Sequence, residues 1–178
     1  MSEFVFLFPK NTKRRSLYTP CKVEKVTKHS DPDLVCEQKD FDVDAQWDTG
    51  AQITTISHSL IDRLGLESTG AKTVLYGVGG ETDSEFYNIN IRMPGGIFIR
   101  NLRVAVADYE DTAELLIGMD VILKSDFLLL DAPDYLHFGF RYPGTGLYEF
   151  KCTRFLVPTY EQRMKMDPEI RYFERKDE

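Results

Sequence analysis

Hydrophobic and polar residues alternate along much of this chain with the period of a β-strand. In residues 41–47 every odd-numbered residue is apolar and every even-numbered residue is polar. This alternation is typical of a strand with one buried face, and it places Trp47 on that face. The strand ends on the carboxylate of Asp48, directly before the small residues Thr49, Gly50 and Ala51.

Other short apolar segments, separated by Gly and Pro, predict further strands. These segments are 73–76, 86–91, 97–99, 102–106, 115–118, 127–130 and 135–140, with a strand candidate around Val23 and Val26. One helix is predicted from a Ser57 or Ser59 cap to Gly65, and a helical turn or two is predicted within 119–124. The pattern indicates an all-β domain with a closed or folded-over sheet and one or two short helices.

The composition divides the chain into three segments. Residues 1–39 are predicted to form an N-terminal extension that contributes a strand, and residues 40–146 to form the main domain. Residues 147–178 form a charged C-terminal extension, with a helix candidate after Pro168. The basic cluster Lys13–Arg15 is interpreted as solvated surface, and a processing site is the alternative.

Charge and hydropathy exclude some classes of partner. Lys and Arg total 22 against 29 Asp and Glu, giving a net charge of -7, which disfavours a nucleic-acid-binding surface. No apolar run reaches the roughly 18 residues that span a membrane, and the apolar start of the chain is too short for a signal peptide. The three cysteines are scattered and lack metal-ligand spacing. We therefore expect a cytoplasmic protein with reduced thiols, and no membrane or nucleic-acid partner.

Two features carry candidate chemistry. Asp48-Thr49-Gly50 is suited to an ordinary turn or helix cap, but it also places a carboxylate between two buried segments. The glycine-rich segment 77–80 between two strand candidates predicts a hairpin with a bendable tip. A phosphate-binding loop is the rival interpretation, and the sequence lacks the Gly-Lys-Ser/Thr ending that such a loop needs. His58 has no nearby His or Cys and is interpreted as structural or exposed.

Together these motifs resemble the retropepsin-like aspartic proteases, the single-domain relatives of pepsin. The resemblance covers about residues 40–142. It rests on three segments in the order and rough spacing of the family: 48–54, the hairpin at 77–80, and Leu116-Ile117-Gly118-Met119-Asp120. It implies a closed, pepsin-like β-barrel that acts as a homodimeric peptidase on peptide or protein substrates, without metal or cofactor. Each chain supplies one catalytic Asp.

The resemblance also implies roles for individual residues. Asp48 is the catalytic carboxylate, Thr49 ties the two active-site turns together across the dimer axis, and Gly50 lets the backbone approach the carboxylates. The segment Leu116–Gly118 packs beneath the turn and supports it. The residues expected to contact substrate are Ala51, Gly77, Val78, Gly79 and Gly80. Asp120 is expected at a helix start or in packing, because one Asp per chain is enough.

The chemistry explains why two chains are needed. Two carboxylates that share a proton can supply an acid and a base in one step, because like charges at short range drive their pKa values apart. The ionised carboxylate takes a proton from water and the protonated one donates to the scissile carbonyl oxygen. Ala51 lacks a hydroxyl that could favour the ionised form, so we expect activity nearer mildly acidic or neutral pH than strongly acidic pH.

One departure from the viral pattern concerns the dimer. Retroviral members usually place an Arg after the glycine that matches Gly118, whereas this chain has Met119 and then Asp120. The viral ion pair that braces the dimer is therefore absent, and the tail from residue 147 is a candidate substitute. A catalytically silent peptide-binding or dimerisation module and an unrelated β-barrel binding protein are the alternative hypotheses.

Overall fold

The structure, a computed structural model, describes residues 2–9, 16–26, 40–77, 80–107, 113–131, 135–146 and 155–156. These residues form mainly strands with two short α-helices. The strands are β1 (Ser2–Pro9), β2 (Leu17–Lys25), β3 (Asp40–Trp47), β4 (Thr55–Ile56), β5 (Lys72–Gly77), β6 (Gly80–Met93), β7 (Ile97–Val106), β8 (Leu115–Ile117), β9 (Asp126–Asp131), β10 (Tyr135–Tyr142) and β11 (Phe155–Leu156). The helices are α1 (His58–Leu64) and α2 (Met119–Ile122), and Pro94–Gly96 forms a short 3-10 turn.

Six strands close into a barrel. The order is β2-β3-β8-β4-β7-β6, and β6 pairs again with β2 to complete the ring. β5 lies outside the ring and pairs with β6 as the other arm of a hairpin. The barrel interior contains the apolar faces of these strands, with side chains such as Ile89, Val104 and Leu115 fully buried. The predicted closed all-β domain with short helices is confirmed.

A second sheet, in the order β11-β1-β10-β9, packs against the barrel through Trp47. The Trp47 ring lies 4.6 Å from Phe140, 5.1 Å from Phe138 and 5.7 Å from Phe127 between centroids. Its indole N–H donates to the Thr19 hydroxyl at 2.8 Å, so the buried polar atom is satisfied. The prediction that Trp47 belongs to the core is therefore confirmed, and the core extends from the barrel into this sheet.

Local signals place α1 where the sequence predicted it. The Ser57 hydroxyl accepts from the Leu60 N–H at 3.2 Å as the N-cap, and Gly65 ends the helix in the left-handed region at φ 61°. His58 is exposed at its start. The two strand candidates at 97–99 and 102–106 are instead one strand, β7, with Asn101 at φ 50° inside it.

The terminal segments contribute to both sheets. Residues 1–39, expected to contribute one strand, contribute β1 to the second sheet and β2 to the barrel. Cys21 on β2 is buried, and burial raises the pKa of its thiol. Cys36, Cys152, the Lys13–Arg15 cluster and the helix candidate after Pro168 lie outside the described residues. The division of the chain at residues 39 and 146 stays a prediction.

A buried arginine joins three parts of the second sheet. Arg141 on β10 is 2% exposed. Its Nε donates to Glu3 of β1 at 2.7 Å and its Nη1 donates to Asp126 of β9 at 2.9 Å. Asp126 also accepts from the Thr145 N–H and hydroxyl and from the Gly146 N–H, at 2.8–3.0 Å. The chain after β10 is thus fastened to the start of β9.

This cluster predicts an acid-sensitive contribution to stability. Burial raises the pKa of the Asp126 carboxyl, but the hydrogen bonds from Thr145, Gly146 and Arg141 outweigh it and lower the pKa to about 2. The carboxyl of an Asp in an unfolded chain has a pKa of about 3.9. The pKa of Asp126 is thus lower in the folded chain than in the unfolded chain. Its ionised carboxylate therefore contributes fully to the stability of the fold above about pH 4, and this contribution is lost as pH falls to about 2. Denaturant titrations at several pH values measure this effect. Between about pH 4 and about pH 2, Asp126→Asn should lose less free energy of unfolding than the wild type does. Asp42→Asn, which changes an exposed carboxylate, should show the same dependence of unfolding free energy on pH as the wild type. The same pH dependence in all three proteins would contradict the role assigned to Asp126.

Candidate active site

The barrel places Asp48 at the end of β3, beside a strand that runs parallel to it. Trp47 pairs with Ile117 of β8, and the Asp48 N–H donates to the Ile117 carbonyl at 3.0 Å. The residue is half-buried, whereas Thr49 and Gly50 are exposed. The 116–118 segment therefore lies directly against the Asp48 turn. The exposed Thr49 and Gly50 are accessible to a second molecule.

Gly50 fixes one oxygen of the Asp48 carboxylate. The Gly50 N–H donates to Asp48 Oδ1 at 2.7 Å. A Cβ on Gly50 would lie 3.1 Å from the same oxygen, which is tighter than ordinary van der Waals contact. The glycine thus permits a close approach of backbone to carboxylate, and the hydrogen bond orients the carboxylate at the barrel surface.

Asp120 anchors the loop that follows the Asp48 turn. Its Oδ1 accepts from the Thr54 N–H at 2.9 Å, from the Thr54 hydroxyl at 2.7 Å and from the Val121 N–H at 3.1 Å. The expectation that Asp120 is a helix-start and packing residue is confirmed by these contacts. Thr54 is fully buried and its hydroxyl also accepts from the Gly118 N–H at 3.1 Å. Sequence reasoning missed Thr54, whose only signal was a hydroxyl between two apolar segments.

Gly118 allows the two loops to cross at close range. A Cβ there would lie 2.7 Å from the Ile53 carbonyl carbon and 2.9 Å from the Thr54 nitrogen. Both are backbone atoms that a side chain cannot displace cheaply. The Met119 N–H also donates to the Ala51 carbonyl at 2.8 Å. The 48–54 loop and the 116–120 segment, far apart in sequence, therefore form one hydrogen-bonded unit.

The anchoring by Asp120 gives a specific prediction. Asp120→Ala leaves the buried Thr54 N–H without its acceptor, at a cost of about 2–3 kcal/mol for an unsatisfied buried donor and its lost partners. We expect lower stability and a lower kcat, because the Asp48 turn loses its attachment to α2. Asp120→Asn keeps an acceptor oxygen in the same place, so this variant should retain most of the stability and most of the kcat. Thermal melts and peptide-cleavage kinetics measure the two effects; equal behaviour of the Ala and Asn variants would show that the anchor is unimportant.

The glycine-rich segment lies in a hairpin, as predicted. Gly77 of β5 pairs with Gly80 of β6, and both are exposed. Val78 and Gly79, expected at the tip, lie outside the described residues. Further along the ladder Thr73 pairs with Ser84, whose buried hydroxyl donates to the Val106 carbonyl at 2.7 Å. This bond fastens the base of the hairpin to the barrel, while the glycines form its exposed end.

The site residues named from the sequence fall into two groups. Asp48, Thr49, Gly50, Ala51, Leu116, Ile117 and Gly118 meet at one end of the barrel, whereas Gly77 and Gly80 lie on the hairpin. Within the described residues, no group of three or more His, Cys, Asp or Glu side chains is placed to hold a metal ion. In the same residues no helix has the length and hydropathy to cross a membrane.

The sequence of this unit matches a known family. A family model described as aspartyl protease matches residues 36–121. This range contains the Asp48 turn, the glycine hairpin and the 116–120 segment. Residues 36–121 are therefore similar to the aspartyl proteases. The family resemblance stated from the sequence motifs is therefore confirmed over this range.

Three solved structures are similar to this chain at low sequence identity. The EIAV protease, solved with the inhibitor HBY-793, is 22% identical, with 62% of this chain and 86% of that chain covered and a TM-score of 0.42. A retropepsin-like aspartic protease from Rickettsia conorii is 15% identical, with coverage of 78% and 92% and a TM-score of 0.46. The retroviral protease-like domain of Ddi1 from Leishmania major is 20% identical, with coverage of 76% and 100% and a TM-score of 0.42. No curated protein matches the sequence.

Proposed function

We propose that this chain is an aspartic endopeptidase that hydrolyses peptide bonds as a homodimer, with one Asp48 from each subunit. The observation that carries the proposal is the geometry of the Asp48 turn. A half-buried carboxylate is oriented by the Gly50 N–H, and its loop is fastened to the neighbouring 116–120 segment. A surface turn with no chemical role would not need this degree of support.

A second copy is required by the chemistry. Asp120, in the neighbouring segment, is engaged by hydrogen bonds from Thr54 and Val121. This leaves Asp48 as the carboxylate of the turn, and one carboxylate cannot be both acid and base in a single step. Two Asp48 side chains across a two-fold axis would share one proton, because like charges at short range resist simultaneous ionisation. The apparent pKa values then belong to the pair and not to either residue.

The proposed reaction uses water as the nucleophile. The ionised carboxylate of the pair takes a proton from water, and the water oxygen bonds to the scissile carbonyl carbon. The protonated carboxyl donates its proton to the carbonyl oxygen, which gives a neutral tetrahedral diol. Collapse of the diol breaks the carbon–nitrogen bond as a proton passes to the leaving amine. No covalent intermediate and no cofactor take part.

The other site residues would position the reacting groups. Thr49 is exposed beside Asp48, where it could bond to the partner turn across the axis. Gly77, Val78, Gly79 and Gly80 would close over the peptide as the end of a hairpin. Ala51, with its carbonyl held by the Met119 N–H, would line the substrate side of the turn.

The test is cleavage of a peptide library by the purified chain across a range of pH, with its mass measured in parallel by sedimentation. We expect a dimer that cleaves peptides with an optimum at mildly acidic or neutral pH and that a pepstatin-like inhibitor blocks. An optimum near pH 2 would contradict the inference that the missing hydroxyl at Ala51 places activity nearer mildly acidic or neutral pH. A dimer that binds peptides but cleaves none would favour the silent binding module. A strict monomer would exclude this mechanism.

A further inference from the structure

The outer face of strands β6 and β7 carries three arginines in a chain that is acidic overall. Arg92 lies on β6, Arg100 and Arg103 lie on β7, and all three are exposed. The chain as a whole has a net charge of -7, so a cluster of cations on two neighbouring strands stands out from the rest of the surface. We name this surface, together with the rings of Phe86 and Phe98, the arginine face.

A β-bulge in β7 puts Arg100 and Arg103 on the same face. Residues three apart in a regular strand point to opposite faces. Here the pairing shifts, so that Asn90 of β6 lies opposite both Arg100 and Asn101. Asn101 takes up the extra residue at φ 50°, and its N–H donates to the Asn90 side-chain oxygen at 2.8 Å. Bulges often re-aim a side chain, and this one adds a second cation to the outer face.

Aromatic rings hold the guanidinium groups of this face in place. The guanidinium carbons of Arg92 and Arg100 lie 3.9 Å and 4.8 Å from the centroid of the Phe98 ring. The guanidinium carbon of Arg103 lies 4.6 Å from the Phe86 centroid. A guanidinium stacked on a ring keeps the N–H groups at its edge available to an anion. Because the ring already restricts the side chain, less conformational entropy is lost when an anion binds.

The positive charge of the arginine face is poorly balanced. Arg92 is paired with Glu24 of β2, but the glutamate side chain is 5% exposed and the arginine side chain is 49% exposed. The surface therefore presents the cation and buries its anion. In the parts of the chain that the structure describes, no salt bridge includes Arg100 or Arg103. The two guanidiniums on the Phe98 ring repel each other, and an anion bound between them would relieve that repulsion.

We propose that the arginine face binds an extended acidic segment of another protein, with carboxylates at alternate positions. Arg92 and Asn88 are four residues apart on β6, and Asn88 pairs with Arg103. The two outermost arginines are therefore separated by about 13 Å along the strands. Acidic residues at alternate positions of an extended peptide point to one side and lie about 7 Å apart, so three of them span the same distance. Each guanidinium can then donate to one carboxylate.

A single-stranded nucleic acid fits this face less well than an acidic peptide does. Proteins that bind single strands stack the bases on open aromatic rings, whereas guanidinium groups lie over the Phe86 and Phe98 rings. The net charge of -7 also repels a long polyanion more strongly than a short peptide with a few carboxylates. The surface therefore favours a carboxylate-bearing peptide, and its use does not depend on the proposed peptidase activity.

The test is the binding of a fluorescent Glu-Ser-Glu-Ser-Glu peptide to the full chain, followed by fluorescence anisotropy. We expect binding that weakens as salt is added, and binding at least about tenfold weaker for the matched peptide with Gln in place of Glu. Arg100→Gln and Arg103→Gln should each weaken binding about three- to tenfold, and the double variant about tenfold or more. Lys124→Gln is the matched control, because it removes the same charge from an exposed residue after α2; its binding should equal that of the wild type.

A charge swap separates loss of the surface from loss of the fold. The chain with both Arg100→Glu and Arg103→Glu should prefer a Lys-Ser-Lys-Ser-Lys peptide to the Glu peptide, and thermal melts check that each variant is folded. Equal binding of the Glu and Gln peptides by the wild type, a comparison that needs no variant, overturns the proposal. It is also overturned if Lys124→Gln weakens binding as much as Arg100→Gln does, or if a short oligothymidine binds the wild type more tightly than the Glu peptide does. All of these results concern binding, so failure of the protease proposal would leave them unchanged.

Discussion

Asp48→Asn is expected to lower kcat/KM for a cleavable peptide by about 10³–10⁴-fold, within the range that general acid–base catalysis supplies. Asn has nearly the same shape and still offers an oxygen to the Gly50 N–H, so the turn should keep its geometry. It cannot accept a proton from water or share one with its partner. The expected signature is thus a loss in kcat with a nearly unchanged melting temperature, measured by steady-state kinetics and calorimetry.

Asp42→Asn is the matched control for this variant. Asp42 lies on the same strand, its side chain is 86% exposed, and its contact with Lys22 is long, at 3.9 Å, so activity should be unchanged. Adding excess Asp48→Asn chains to the wild type should also reduce activity, because mixed dimers hold one carboxylate. Full activity of Asp48→Asn, or wild-type activity that is insensitive to added variant chains, would remove Asp48 from a shared catalytic pair.

Arg141→Met is expected to produce the largest loss of stability, about 3–5 kcal/mol. Methionine keeps much of the side-chain volume but removes the donors to Glu3 and Asp126, and both carboxylates remain largely buried, at 15% and 12% exposure. Two buried negative charges would then face each other without a cation. For a chain of this size the melting temperature should fall by roughly 6–20 °C, and calorimetry near neutral pH measures the change.

Lys22→Met tests whether burial is the reason for the large loss of stability expected of Arg141→Met. Lys22 contacts Asp40 at 3.1 Å, but both side chains are more than 40% exposed, so the loss of Lys22 should cost far less stability than the loss of Arg141. The stability difference between Arg141→Met and the wild type should also narrow at acid pH, as protonation neutralises the Asp126 carboxylate. If the lysine and arginine variants lost equal stability, the Arg141 cluster would be no more than a surface ion pair.

Much of the fold follows from signals that act over a few residues. The alternation in 41–47 predicts β3 because side chains of a strand point to opposite faces. The Ser57 cap and Gly65 stop define α1, since each satisfies backbone groups at one helix end. Segment 97–106 shows the limit of such signals. Asn101 interrupts the alternation, and only pairing with β6 makes the segment one strand.

The candidate site was partly predictable, because some of its signals also act over a few residues. Asp48-Thr49-Gly50 and Gly118 are recognisable because glycine permits close approaches that other residues cannot make. The hydrogen bonds from Thr54 to Asp120 span 66 residues, and no local pattern records which donor meets which acceptor. The same is true of Arg141, which would normally be assigned to the surface but is buried between Glu3 and Asp126.

The sequence by itself determined the strand periodicity, the glycine turns and the Asp48 motif, because each depends on residues close together in the chain. The closure of β6 on β2, the insertion of β1 between β10 and β11, and the apolar edge of β9 were decided only by the tertiary structure. These features depend on which strands become neighbours. Long-range packing selects those neighbours by burying the Trp47 cluster and satisfying the backbone.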